Sequence, residues 1–252
     1  MRKRYFDIAW SLLLLITCLG ICPIEVQGNA PPTIEQALTR YGVTLTVPAL
    51  RKALTDARPV VRGLAAAELA EKKDKDSIPL IREALLVEQV PQQRLNLANA
   101  LSWLGDTEGN RALADMCADP RVPQWFRLRA ADQLLDSGDA ECLSSVVEIL
   151  SMQSDSIEPA MRISTLDYLA RVKTVPVALM PKVHAFLLSG LQDQVAPVRQ
   201  SAADCIAALS DQGAAPALRT AAMNESDSDT RLHIERALKE LSNTQNQLAP
   251  NQ

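Results

Sequence analysis

At 252 residues and a formal net charge of −4, the chain is long enough for one large domain or a string of small repeats. It has no basic tract with which to grip a nucleic-acid backbone. Apolar residues make up 47% of it but aromatics only 4%, which suits close-packed Ala/Leu helices and argues against a β-sandwich.

The first element is an address. Met1–Arg4 reads MRKR, and residues 8–24 form an apolar stretch ending near Pro23 and Ile24. Val26 and Gly28 then suit the −3 and −1 sites of a signal peptidase cutting before Asn29. This is the layout of a secretory signal peptide over 1–28. An uncleaved N-terminal membrane anchor and a lipid anchor at Cys18 are the alternatives. The apolar run is short for a span, and Thr17 fits poorly before a lipidated cysteine. Removing the leader takes the charge to −5, since Arg2, Lys3 and Arg4 leave with Asp7 and Glu25.

A linker and a capping helix, Thr33–Tyr41 closed by Gly42, occupy 29–46. Six helix pairs follow over 47–242. The first helices are expected at 47–55, 76–88, 108–117, 140–152, 178–192 and 214–224. The second helices are expected at 59–72, 91–104, 123–136, 158–171, 196–209 and 228–242. The polar tail 243–252 carries no apolar period and is expected to be disordered.

The pairs are in register because an arginine recurs. Arg62, Arg94, Arg127, Arg162, Arg199 and Arg231 lie 32, 33, 35, 37 and 32 residues apart. Seven residues after each stands Leu69, Leu101, Leu134, Leu169, Ile206 or Leu238. A period of this length marks a stacked array of helical hairpins. In the clearest units, Asp56 or Asp193 precedes Pro59 or Pro197, and Ala65-Ala66 or Ala202-Ala203 follow the arginine at +3 and +4. Aspartate accepts backbone N–H groups where a helix begins, and proline tolerates the first turn because its missing N–H would have no partner there. Small residues at +3 and +4 let the paired helix approach.

The runs D-x-x-P-x-V-R-x-x-A-A-x-x-L at 56–69 and 193–206, with weaker copies at 91–101, 120–134, 159–169 and 227–238, resemble the HEAT repeat family. The likeness is to its short bacterial, phycobilisome-lyase-like form. The departures are Gln92-Gln93 before Arg94, Asp119 shifted by two residues, and Glu235 in place of alanine. The resemblance implies an all-α fold: an α-solenoid, a right-handed superhelix of about six hairpins with second helices on the concave side. It also implies that arginine and aspartate tie consecutive repeats together, at Asp56/Arg62 and Asp193/Arg199.

Three cysteines remain beyond the leader. Parallel stacking of first helices would put Cys117 and Cys142 near opposite ends, so no bond between them is expected. All three read as buried thiols, Cys205 within an Ala-rich helix.

Chemistry is sparse. His184, on an apolar helix, reads as a core or boundary residue, and His233 as a solvated one. No H-E-x-x-H, paired C-x-x-C, G-x-S-x-G or phosphate-binding glycine loop occurs. The iron-holding His-Glu dipeptides of the HEAT-like deoxyhypusine hydroxylases are not matched, since His184 precedes Ala185 and His233 precedes Ile234. Bilin lyases act on antenna proteins on the cytosolic side, which a leader argues against. No metal or cofactor is expected.

A binding face is expected at +2, +5, +6 and +9 from each arginine, where residues point outward or sideways. In the middle repeats these positions hold Asn96, Asn99 and Trp103, then Arg129, Asp132 and Asp136, then Ser164, Asp167, Tyr168 and Arg171; of these Asn99, Trp103, Arg129, Asp132, Asp136, Asp167 and Tyr168 are the expected binding residues, a polar groove with aromatic anchors. The competing reading packs Trp103 and Trp125 between repeats and leaves the acids to solubilise the surface. The expected protein is an exported, periplasmic, monomeric, non-enzymatic scaffold for a protein or peptide, without nucleic acid. The alternatives are a lyase-like or chromophore-handling enzyme or accessory, and a spacer with no ligand.

Overall fold

The structure is a computed structural model that describes residues 32–150, 158–172 and 174–248. These form helices throughout, in the order α1 (Ile34–Arg40), α2 (Val47–Ala53), α3 (Pro59–Glu71), α4 (Ile78–Val87), α5 (Pro91–Trp103), α6 (Thr107–Ala118) and α7 (Gln124–Asp136). Then come α8 (Leu143–Leu150), α9 (Pro159–Arg171), α10 (Met180–Gly190), α11 (Ala196–Ala208), α12 (Ala215–Asn224) and α13 (Ser228–Leu248). The expected signal peptide at 1–28 and the residues from 249 onward lie outside the described residues. Helix α13 runs past position 242 to Leu248, so the helical part of the chain is longer than the apolar period suggests.

Contacts divide the chain into two compact units, Met1–Asn110 and Arg111–Gln252, with the boundary inside α6. In the first unit α2 pairs with α3 and α4 with α5, and α3 packs against α5 while α1 covers α3. In the second, α10 pairs with α11 and α12 with α13, and the second helices α7, α9, α11 and α13 pack in sequence. Four of the six expected hairpins are paired in this way.

The core follows from the +3, +4 and +7 positions. Leu69, Leu101, Leu134, Leu169 and Ile206 are fully buried, and so are Ala65-Ala66, Leu97-Ala98, Ala130-Ala131 and Ala202-Ala203. Each such leucine contributes about 2 kcal/mol through burial. Small residues set the helix approach: a Cβ on Gly190 would stand 2.8 Å from the Ala202 Cβ. Glu235, the exception in the last repeat, is exposed.

Helices α1, α3, α5, α7 and α11 end in one repeated corner. Gly42, Lys73, Gly105, Gly138 and Ser210 adopt positive φ, between 53° and 87°. After the last four of these, the N–H groups of Asp74, Asp106, Asp139 and Asp211 reach back to the carbonyls of Leu69, Leu101, Leu134 and Ile206. These are Schellman caps, and they satisfy carbonyls that the helix end would orphan.

Candidate functional site: the face of the second helices

Four of the repeat arginines, Arg62, Arg127, Arg162 and Arg199, pair with an acid of the next hairpin or the loop before it. Arg62 donates from Nη1 to the Asp56 carbonyl at 2.8 Å, and from Nε (2.9 Å) and Nη2 (2.5 Å) to Glu88 of the next hairpin. Arg199 repeats this with the Asp193 carbonyl at 2.7 Å and with Glu225 at 2.6 and 2.9 Å. Arg162 reaches Asp193 at 2.8 Å. A loop residue six positions before one arginine therefore binds two arginines, taking its own repeat's through its carbonyl and the preceding one through its carboxylate.

This corrects the expected ties. The carboxylate of Asp193 pairs with Arg162 of the preceding hairpin and not with Arg199. The carboxylate of Asp56 turns to the Arg58 side chain and backbone, which hold it down at about 2. Glu88 and Glu225 were missed as ladder members because the sequence reading looked for aspartate. Scanning the −6 position (Asp56, Glu88, Arg121, Ser156, Asp193, Glu225) would have found them. Arg199 in turn depresses the Glu225 carboxyl, chiefly through its side-chain hydrogen bond.

A second ladder uses the corner aspartates. Asp74 accepts from Arg51 at 2.8 and 2.6 Å, Asp106 accepts from Arg82 at 3.0 and 2.7 Å, and Asp211 stands 2.5 Å from His184 Nδ1. His184 is thus a half-buried replacement for an arginine. His233 is also paired, its Nδ1 lying 2.9 Å from Asp204.

The expected face is only partly outward. With 3.6 residues per turn, +2, +5 and +9 lie roughly 140–200° from the arginine, opposite the core, whereas +6 lies at roughly 240°, toward the neighbouring second helix. Tyr168, at +6, is accordingly fully buried and cannot line an open groove. Burial pushes its phenol up to about 12. Glu68 and Cys205 share the +6 row and are also buried, and burial raises the Cys205 thiol. Three atoms of this row, Glu68 Oε2, Gln133 Oε1 and Tyr168 OH, are buried without a hydrogen-bond partner.

The remaining expected residues do reach the surface. In the first unit, Asn99 is half-buried and Trp103 is 44% exposed at the end of α5. Close by in sequence, Gln92, Gln93 and Asn96 form an amide chain, with Gln92 donating to Asn96 and Asn96 to Gln93, each at 3.1 Å. Gly63 of α3 leaves room for the Gln93 carbonyl, which a Cβ there would strike.

In the second unit, α7 and α9 bring four of the expected residues together around Arg171. Its guanidinium donates to Asp136 at 3.0 Å, pairs with Asp132, and lies 3.6 Å from Asp167. Arg129 stands 3.8 Å from Asp132. Three carboxylates thus surround two guanidiniums at the surface, on adjacent helices.

One expectation about cysteine is overturned. Cys117 and Cys142 form a disulfide, with Cα atoms 6.2 Å apart. Cys117 lies in the last turn of α6 and Cys142 immediately precedes α8, so the end of one first helix meets the start of the next. The side-by-side parallel stacking assumed from the sequence does not hold at that point. Cys205 is free and buried.

Comparison with known families supplies the remaining evidence. Residues 47–134 match the model described as HEAT repeats, and residues 185–213 match the model described as HEAT repeat. These two segments therefore carry HEAT repeats. No curated protein matches the chain by sequence. Several solved structures are similar to this chain. An engineered protein is 19% identical over 78% of this chain and 96% of its own, with a TM-score of 0.48. The CpcE–CpcF complex of phycocyanin lyase from Nostoc sp. is 17% identical over 88% of this chain and 100% of its own, with a TM-score of 0.40. A computationally designed armadillo repeat protein for modular peptide recognition is 20% identical over 81% and 84%, with a TM-score of 0.34.

Among the described residues no helix is long and apolar enough to cross a membrane. No group of three or more His, Cys, Asp or Glu side chains among them is placed to hold a metal ion.

Proposed function

We propose that this protein is an exported, non-enzymatic HEAT-repeat scaffold that binds a protein or peptide through the outward face of its second helices. The observation that carries the reading is the Asp132–Asp136–Asp167 cluster around Arg171 and Arg129, which sits at the surface on two adjacent helices. Surface acids that only solubilise a helix need no such convergence, and charged groups held at fixed spacing suit recognition of a polar partner. Export is supported by the Cys117–Cys142 disulfide, a bond that persists in oxidising compartments. The leader at 1–28 points the same way.

The test is capture from an envelope extract followed by mass spectrometry. Wild-type protein should retain a defined partner, and the Asp132→Ala/Asp167→Ala variant should lose it. Trp103→Ala should weaken capture if the partner also reaches the first unit. Equal capture by wild type and the double aspartate variant would sink the proposal.

A further inference from the structure

We propose that the Cys117–Cys142 disulfide is a redox-sensitive clamp on one junction of the second unit, between hairpin α6–α7 and hairpin α8–α9. Reduction opens that junction and leaves the α10–α13 hairpins in place.

The junctions of this unit are held unequally. Between α9 and the following hairpin, Arg162 meets Asp193 with side chains only 11% and 7% exposed. Between α11 and the last hairpin, Arg199 meets Glu225 at 17% and 4%. At the clamped junction the repeat arginine, Arg127, pairs instead with Glu148, whose side chain is 71% exposed. Solvent screens such a pair, and it contributes little. The Arg171 pairs with Asp132 and Asp136 cross the same junction, but all three side chains are partly solvated. Among the described residues, the covalent bond therefore stands where the ion pair made by the repeat arginine is most exposed.

Both cysteines are buried, at 2% and 1% exposure, so a thiol reaches them only when the hairpins part. A dithiol supplies the two electrons: one of its thiolates attacks a sulfur, the other resolves the mixed disulfide, and the products are two protein thiols and an oxidised dithiol. Cys205 does not compete as a nucleophile, because it is buried and its thiol is held protonated. Once the clamp is cut, α7 with Asp132 and Asp136 is free to move from α9 with Arg171. This inference concerns the junction alone and stands whatever the face binds.

The experiment is hydrogen exchange on the full chain, oxidised and after dithiothreitol, with the Cys117→Ala/Cys142→Ala variant alongside. Amides within 111–150 should exchange at least about tenfold faster on reduction, those within 180–248 should stay unchanged, and the variant should match the reduced protein. No change on complete reduction overturns the proposal. A uniform rise extending through 180–248 overturns it as well, since the bond would then be a general stabiliser. Should the variant fail to fold, the oxidised and reduced wild-type protein decide the matter.

Discussion

Tyr168 carries a hydroxyl into the packed layer between second helices and finds no partner for it there. A buried polar group left unpaired costs about 1–3 kcal/mol, more than its ring gains from the extra oxygen. Tyr168→Phe should therefore raise stability by about 1 kcal/mol at neutral pH in a denaturant titration. The pH profile gives an independent check. An unfolded tyrosine ionises near its model value of 10.0, whereas burial holds this one protonated to about 12. Between those values the unfolded chain gives up a proton that the folded chain retains, so this residue's contribution falls as pH rises through that window. The fall should be smaller in the phenylalanine variant. A destabilised variant with an unchanged alkaline profile would mean that the hydroxyl is satisfied after all.

At the scale of helices, packing distance is set by what lacks a side chain. Gly190 of α10 faces Ala202 of α11, and an added Cβ would stand 2.8 Å away, closer than real Cβ contacts come. Gly190→Ala gains up to about 1 kcal/mol in helix propensity, but overpacking a close helix pair costs about 1–3 kcal/mol. The net effect should be a loss of about 1 kcal/mol, recovered in part by Ala202→Gly on the facing helix. Additive effects in that double-mutant cycle would show that the two positions do not meet. The same packing explains what could be read beforehand. The helices were legible because apolar residues recur on one face and Asp, Pro and Gly punctuate the loops. The surface positions of Asn99 and Trp103 in the first unit, and of Arg129, Asp132, Asp136 and Asp167 in the second, were expected from the +2, +5 and +9 spacing. Tyr168 does not lie at the surface, because the +6 position flanks a neighbouring helix that a single-helix projection omits. The disulfide was missed because ideal parallel stacking was extended to the meeting of α6 with α8. Glu88 and Glu225 were hidden by an irregular choice between two carboxylates.

Over the whole chain, a repeat array holds each hairpin mainly by its neighbours, so a broken junction should be felt locally. The last hairpin gives the clearest case. It is attached through Arg199 to Glu225, through the His184–Asp211 and His233–Asp204 pairs, and through Gln200 to Thr230 at 3.0 Å. Glu225 is the most buried acid of that set, and its carboxyl is depressed first by the Arg199 hydrogen bond. A depressed carboxyl stabilises the fold above its unfolded value of 4.5, and that contribution disappears as pH falls below it. Acidification through that range should therefore loosen α12 and α13. Glu225→Gln imitates the protonated state at neutral pH. Removing the charge from a hydrogen bond of this kind costs about 2 kcal/mol. Hydrogen exchange should accelerate in 212–248 of the variant, more weakly in α10 and α11, and not in residues 34–103. Acceleration of equal size in both units would show that the chain unfolds as one cooperative body, and the nearest-neighbour account of its stability would fail.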